Sequence, residues 1–422
     1  MARCISQARI IRRTCWVALS MLLGCQLELP EVDPGPGGDY FVDASGGDDD
    51  NPGTAARPWR TITKVNARTF APGDRILLRR GETWAESLVP PSSGASGAPI
   101  LFGAYGSGDR PRITGGAGTS CVHWTQPRSH LVFQDLHLRC EEYGLNVWSD
   151  PDRSTDVVIE GCVMEGAKSA GLYISGMSSV VIRGNTVRNS LTGLSIDGSV
   201  GMNSVVVEEN DIHDNTDMCI HLSNASGVIL RRNRIHDCKA GGLNNVGAKA
   251  LLAHHNLLYG AMAGIYDVCE PGLYCASGGI YHHNTIAVGG GWTTCLSTGG
   301  NANFAEFRNN ICVHSGEKGP LIGNLQATGR SDCNLFFAQK GLRFAWGGTT
   351  YGSFSDYQSG SGQDGLSEHA DPLFLSPSTQ DFHLTAGSLA VDHCPPLGYT
   401  VDLDGNPTPA GAGADAGAFE RQ

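Results

Sequence analysis

The chain has 422 residues, with 30 Lys and Arg against 42 Asp and Glu, for a formal net charge of −12. A surface of that sign excludes nucleic acid as a partner, because phosphate binding needs a basic face. The 57 glycines and the short, recurrent bursts of strand formers point to an all-β chain of many turns, and the length suits a solenoid built as one unit.

In chain order, Arg9, Arg12 and Arg13 precede an apolar run from Trp16 to Leu23 that is too short to span a bilayer and has the layout of a secretory signal over residues 1–24. Leu22-Leu23-Gly24-Cys25 resembles the lipobox of bacterial lipoproteins. That resemblance implies lipidation of Cys25, cleavage before it, and contact with a membrane through the lipid anchor only; the alternative is an ordinary cleaved signal with Cys25 incidental. Gln26, where inner-membrane lipoproteins carry Asp, is similar to outer-membrane sorting, so the expected address is the cell envelope, at the outer membrane or the cell surface. Residues 25–39, Pro- and Gly-rich from Pro30 onward, read as a tether.

Loss of residues 1–24 removes Arg3, Arg9, Arg12 and Arg13 and no acid, which moves the charge from −12 to −16. A polyanionic glycan is then repelled at long range unless a local basic strip or a bridging Ca²⁺ intervenes. Of 14 cysteines, Cys4 and Cys15 leave with the signal and Cys25 is set aside for lipid, so eleven remain. In an oxidising compartment several pair and one thiol is left over, with Cys269 and Cys275 the nearest local bridge.

The strongest signal is a repeat. Val157-Val-Ile-Glu-Gly161, Val180-Val-Ile-Arg-Gly-Asn185, Val205-Val-Val-Glu-Glu-Asn210, Val228-Ile-Leu-Arg-Arg-Asn233 and Leu251-Leu-Ala-His-His-Asn256 align, and Asn284 and Asn310 continue the series. Successive asparagines lie 25, 23, 23, 28 and 26 residues apart, with Cys162 in the equivalent place one coil earlier. Each unit reads as strand, Asn turn, strand, loop and strand, and one unit cannot bury its apolar side alone, so stacked units share a core. Val181, Val187, Leu194 and Ile196 are taken as inward-facing, and the asparagines as turn residues that bond to one another and tolerate the left-handed conformation.

The flanks fit the same unit. Tyr40-Phe-Val-Asp43, Asp48-Asp-Asp-Asn-Pro-Gly-Thr54, Pro58-Trp-Arg-Thr-Ile62 and Pro72-Gly-Asp-Arg-Ile-Leu-Leu78 resemble the N-terminal segment of pectate-lyase-like β-helix proteins. Asp371-Pro-Leu-Phe374, Asp381-Phe-His-Leu384 and Asp415-Ala-Gly-Ala-Phe-Glu420 are similar to the tail of exported bacterial right-handed β-helix repeat proteins. The resemblance implies a single-stranded right-handed parallel β-helix over residues 40–422, with an N-terminal cap, a C-terminal tail and clear coils over about 131–337. It also implies a polysaccharide partner, handled by lyase or hydrolase chemistry, without naming the reaction, since this fold hosts many.

In such β-helices the glycan lies along the strand that follows the loop. Alternation places Asn146, Tyr173, Ser195, His221, Asn244, Tyr266 and Ser297 in one outward column, and Trp148, Ser175, Asp197, Ser223 and Val246 in a second. Aromatic faces stack on sugar rings, and the polar groups bond hydroxyls, so Asn146, Trp148, Tyr173, Ser195, Asn244 and Tyr266 are the candidate binding residues. His221, central and titrating near neutrality, is the candidate for proton transfer, with Asp197 as its orienting carboxylate or a hydrolase acid. A one-residue slip turns His221 into the core instead. Lys239, in the preceding loop, is the secondary catalytic candidate, ahead of Lys168 and Lys249.

Asp214 and Asp217 bracket the loop before His221 and are the candidate Ca²⁺ ligands, although two carboxylates do not complete a coordination shell. His213-Asp214 and His236-Asp237 occupy equivalent repeat positions and read as turn chemistry rather than two active sites, and the Asp48–Asp50 run reads as a solvated turn. A non-catalytic adhesion or envelope-scaffold protein using the same face is the alternative to an enzyme.

Overall fold

The computed structural model describes residues 37–148, 154–199, 201–269, 274–289, 294–316, 319–324 and 326–422. The expected signal segment, Cys25 and the tether up to residue 36 lie outside the described residues. Asp39, assigned to the tether from the sequence, opens the first strand, Asp39–Val42, and its carboxylate pairs with Arg75.

Short β-branched runs alternate inward and outward, so each segment buries one face and needs partners on both edges. The partners are the equivalent segments one coil away. Twelve strands form a first sheet, twelve a second and eleven a third, and apart from one closing hairpin in the third sheet every neighbour is one coil earlier or later. The coils are parallel from Asp39 to the strand Glu368–His369, well beyond the span of clear repeats, and only the closing hairpin Phe344–Trp346 with Thr349–Tyr351 is antiparallel in these sheets. Val187, Leu194 and Ile196 face the shared core as expected.

Val181 does not. Its neighbours Val180 and Ile182 take the core positions, so Val181 faces outward and is covered by Val158 and Val206, its partners in register. The run Val-Val-Ile is apolar on both faces, and composition alone does not say which residues point in.

Between the first and second sheets runs a ladder of buried side-chain amides. Asn185 Nδ2 donates to Asn210 Oδ1 at 2.9 Å, Asn210 to Asn233 at 3.0 Å, Asn233 to Asn256 at 2.9 Å, Asn256 to Asn284 at 3.0 Å, and Asn284 to Asn310 at 3.0 Å. Each Oδ1 also accepts the backbone N–H of the preceding rung, as Asn233 does from Asn210 at 3.1 Å. Cys162 N–H starts the ladder on Asn185, and Asn334 ends it on Asp364 and Ser367.

The left-handed residue is the one before each Asn, not the Asn itself: Glu209, Arg232, His255, His283 and Asn309 have φ between 49° and 57°. A left-handed non-glycine residue costs about 1–2 kcal/mol. Two to four buried hydrogen bonds per rung, each about 1 kcal/mol net, offset it.

Both ends are capped. Ile62 and Val65 of helix Ile62–Asn66 pack with Trp59 and Phe70 in the first coil, and Tyr357 of helix Phe354–Ser361 stacks on Phe344 with ring centres 4.4 Å apart. Asp49 binds the backbone N–H groups of Arg60 and Thr61 and the Thr61 hydroxyl, so the acidic run organises a turn. Disulfides Cys121–Cys140, Cys219–Cys238 and Cys295–Cys312 each tie the third-sheet side of one coil to the second-sheet side of the next, and Cys333–Cys394 holds the tail. Loops of 17–19 residues closed this way contribute about 3 kcal/mol each in the chain-entropy account. Cys269–Cys275 forms as expected, and the one leftover thiol, Cys162, is buried, which pushes its pKa up to about 12.

The tail folds back over four histidines. His254 stacks on Tyr399 at 4.3 Å, His255 on His283 at 4.7 Å, His282 meets Tyr399 Oη at 3.0 Å, and His283 Nδ1 donates to the Asp415 carbonyl at 3.0 Å. Burial lowers the pKa of all four, His283 to about 3, aided by nearby Arg231, Arg232 and Arg308 and opposed at His282 by Glu306.

Two outcomes follow from this packing. Replacing Asn233 with Ala leaves the Asn210 N–H and the Val207 carbonyl without their buried partner, and lowers stability by about 3 kcal/mol, read from denaturant unfolding; a loss under about 1 kcal/mol would count against the ladder. The histidines are protonated near pH 6.5 when unfolded and much lower when folded, so their stabilisation is present above about pH 6.5 and lost as pH falls. In the tail, Asp415, raised to about 6 by burial, and His383, raised by Asp381 and Asp404 against its own burial, act oppositely but are two against four. Acidification from pH 7 to pH 5 should therefore speed amide exchange across residues 399–420 before it affects the Asn turns; equal protection at both pH values would refute this.

Candidate functional site on the third sheet

The strands of the third sheet have a fixed register. Asn146 pairs with Tyr173, Tyr173 with Ser195, Ser195 with His221, His221 with Asn244, and Asn244 with Tyr266, so the expected column is assembled residue by residue. Its second column runs Trp148, Ser175, Asp197, Ser223, Val246. His221 faces outward: Ile220 and Leu222 on either side of it are fully buried in the core.

Asn244 Nδ2 lies 3.2 Å from His221 Nδ1. A donor amide there makes Nδ1 an acceptor and leaves the proton of the neutral ring on Nε2. Tyr173 Oη donates to Asp197 Oδ2 at 3.1 Å, and the Ser199 N–H donates to Asp197 Oδ1 at 2.9 Å, so the carboxylate is held one strand away from His221 and diagonal to it. Burial first, then the Asp197 charge, pushes the Tyr173 hydroxyl up to about 12, so Tyr173 stays a donor at neutral pH. Asn146 Oδ1 and Asn244 Oδ1 are buried and have no hydrogen-bond partner within the protein.

Trp148 is 60% exposed and Tyr266 40%, and among the described residues they are the only aromatic side chains so exposed. Both lie on this face. Tyr143 meets the Tyr173 ring at 5.7 Å, and Tyr274, carried by the loop that Cys269–Cys275 closes, brings its hydroxyl to 3.2 Å from Ser223. Tyr274 and Tyr143 escape sequence reasoning because neither sits at a repeat position in the two columns; the close spacing of Cys269 and Cys275 is the signal that a loop returns there.

Lys239 is exposed in the loop before Gly241–Val246, with its backbone N–H bound to Asn215, outside both columns. Lys168 is paired with Glu141 at 2.9 Å. Asp214 and Asp217 are not joined by a third His, Cys, Asp or Glu within ligand reach among the described residues. Asp214 lies at a left-handed turn with φ 54° and binds His213 Nδ1 at 2.7 Å. Asp237 repeats that geometry beside His236, and the rings of His213, His236 and Tyr259 stack at 4.8 and 4.6 Å, so the dyads are turn structure. Among the described residues, the one group of three metal-ligand side chains within reach of each other is Cys333, His393 and Cys394, whose two cysteines are bridged.

Residues 143–334 match the family model described as a right handed beta helix region. A 93-residue stretch, 21% of this chain, is 34% identical to 6% of a lacto-N-biosidase from Bifidobacterium longum subsp. longum. Among solved structures, pectate lyase Pel9A aligns with a TM-score of 0.60 at 15% identity, over 91% of this chain and 96% of that one. The GH136 lacto-N-biosidase from Eubacterium ramulus aligns with a TM-score of 0.53 at 18% identity, over 71% of this chain and 64% of that one. The chain thus spans under two thirds of these lacto-N-biosidases, and at such identities the structural likenesses show the fold.

Proposed function

We propose that this chain, which belongs to the right-handed parallel β-helix repeat proteins, binds and cleaves a polysaccharide along the outer face of its third sheet. Five disulfides suit an oxidising compartment and mark an exported protein. The finer address, an outer-membrane or surface lipoprotein anchored through Cys25, rests on the lipobox resemblance alone. The observation that carries the functional reading is the outward column with His221 between Ser195 and Asn244, flanked by Asp197 and by the exposed rings of Trp148 and Tyr266.

In this reading Trp148, Tyr173 and Tyr266 stack on sugar rings, while Asn146, Ser195 and Asn244 bond hydroxyls. His221, held at Nδ1 by the Asn244 amide, transfers the proton, and Asp197, oriented by Tyr173, acts as the acid or the charge that steadies a protonated imidazole. Lys239 is a secondary base that would have to reach in from its loop. Asp214 and Asp217 are the residues to which a Ca²⁺ would have to add further oxygens.

One observation favours a second reading, a non-catalytic adhesion or scaffold role. Asp197 is the only carboxylate facing outward from the third-sheet strands among the described residues, so the paired-carboxylate arrangement of most glycosidases is not assembled there.

The purified protein is to be screened against uronate and neutral polysaccharides, with and without Ca²⁺, following unsaturated-product absorbance and reducing ends. Absorbance identifies a lyase, and reducing ends without it a hydrolase; His221→Ala and Asp197→Asn should each lower turnover by about 10²–10⁴-fold while retaining binding. Binding without turnover in the unaltered protein decides for the scaffold reading.

A further inference from the structure

We infer that the third-sheet face takes an uncharged glycan chain lying along the helix axis from Trp148 to Tyr266, rather than a polyuronate. This rests on the reading of that face as a glycan site and narrows its substrate class.

The first observation is how charge is divided among the three sheets. None of the third-sheet strands, from Val122–Trp124 to Phe344–Trp346, contains a Lys or Arg. Arginines of the other two sheets are committed to carboxylates, Arg183 to Glu160 at 2.6 Å, Arg188 to Glu165 at 2.9 Å, Arg231 to Glu208 at 2.7 Å and Arg234 to Asp404 at 2.7 Å, and Lys239 stands in its loop outside both columns. A polyuronate brings one carboxylate per sugar, and desolvating each against strands that supply no cation is unfavourable. The charge this face does carry, Asp197, has the same sign as the uronate, and so does the chain as a whole at −12. Hydroxyl, amide and imidazole groups suit sugar hydroxyls instead.

The second observation is where the exposed rings sit. Trp148 and Tyr266 lie on either side of Ser195, His221 and Asn244, five coil steps apart, which is about 24 Å at about 4.8 Å per step. His221 lies between them, three steps from Trp148 and two from Tyr266. Apolar rings left in water at both ends of a polar strip are stacking platforms for a ligand that reaches both, so a chain of several sugars fits and a single ring does not.

The test is calorimetric titration of the full exported protein, guided by a glycan array, with neutral oligosaccharides of graded length and with oligogalacturonates and oligoalginates of matched length. Neutral chains should bind, with affinity rising about tenfold or more from the disaccharide until the chain spans both rings, then levelling. Trp148→Ala and Tyr266→Ala should each remove most of that gain for long chains and little for disaccharides, and Trp148→Phe should restore it. Uronate chains binding as tightly as neutral ones, and weakening with added salt, would overturn the inference and leave the glycan site standing. Affinity independent of length, or unaffected by Trp148→Ala, would overturn the spanning site. Silence from every sugar class, neutral and acidic, would remove the glycan site itself and the inference with it.

Discussion

From the coil of Cys162 to that of Asn334, the side-chain columns keep their register because an amide in one coil is met by an amide oxygen in the next. The ladder from Asn185 to Asn334 lies wholly inside the molecule, where each rung satisfies both a side-chain donor and a backbone N–H. That double use leaves no freedom to shift a coil by one residue. A slip would break the rung and also swap the inward and outward faces of all three strands of that coil. The left-handed residues before each Asn, bulky ones such as Arg232 and His255 included, show how much unfavourable backbone the ladder holds in place.

Fixed register gives each sheet its own role. The first and second sheets use their outward positions for paired charges and stacked rings, and the C-terminal tail covers part of them, burying four imidazoles in neutral form. The third sheet carries no such charge ladder. Its outward residues are mostly amide, hydroxyl, imidazole and aromatic, and among the described residues its one outward carboxylate, Asp197, is held by Tyr173. Stability and recognition are thus separated on different faces of one solenoid, and a disulfide-closed loop adds Tyr274 to the recognition face without altering the coils beneath it.

Much of this was legible in the residues. The spacing of Asn185, Asn210, Asn233, Asn256, Asn284 and Asn310 reports one coil, and alternation after each Gly-Leu or Gly-Ile puts Tyr173, Ser195, His221 and Asn244 in one outward column, which the register reproduces. Odd cysteine arithmetic anticipates one unpaired thiol, found as Cys162. Repetition also separates turn from site at His213-Asp214 and His236-Asp237, since a feature that recurs every coil is serving the coil.

Other features depend on contacts between residues far apart in the chain. Val180, Val181 and Ile182 are all apolar, so only the packed core shows that the middle one faces out. The left-handed position falls one residue before the Asn because the side-chain amide must point back along the axis to reach its neighbour. The partner of His283 is 132 residues away, and Tyr274 reaches Ser223 across 51. The sequence by itself determined the coil, its period and which residues share a column, because these follow from local alternation and a repeated turn. The tertiary structure alone decided which column is left open and what lies over it, because the tail, the cross-coil disulfides and the Tyr274–Ser223 contact join segments whose proximity no local pattern encodes.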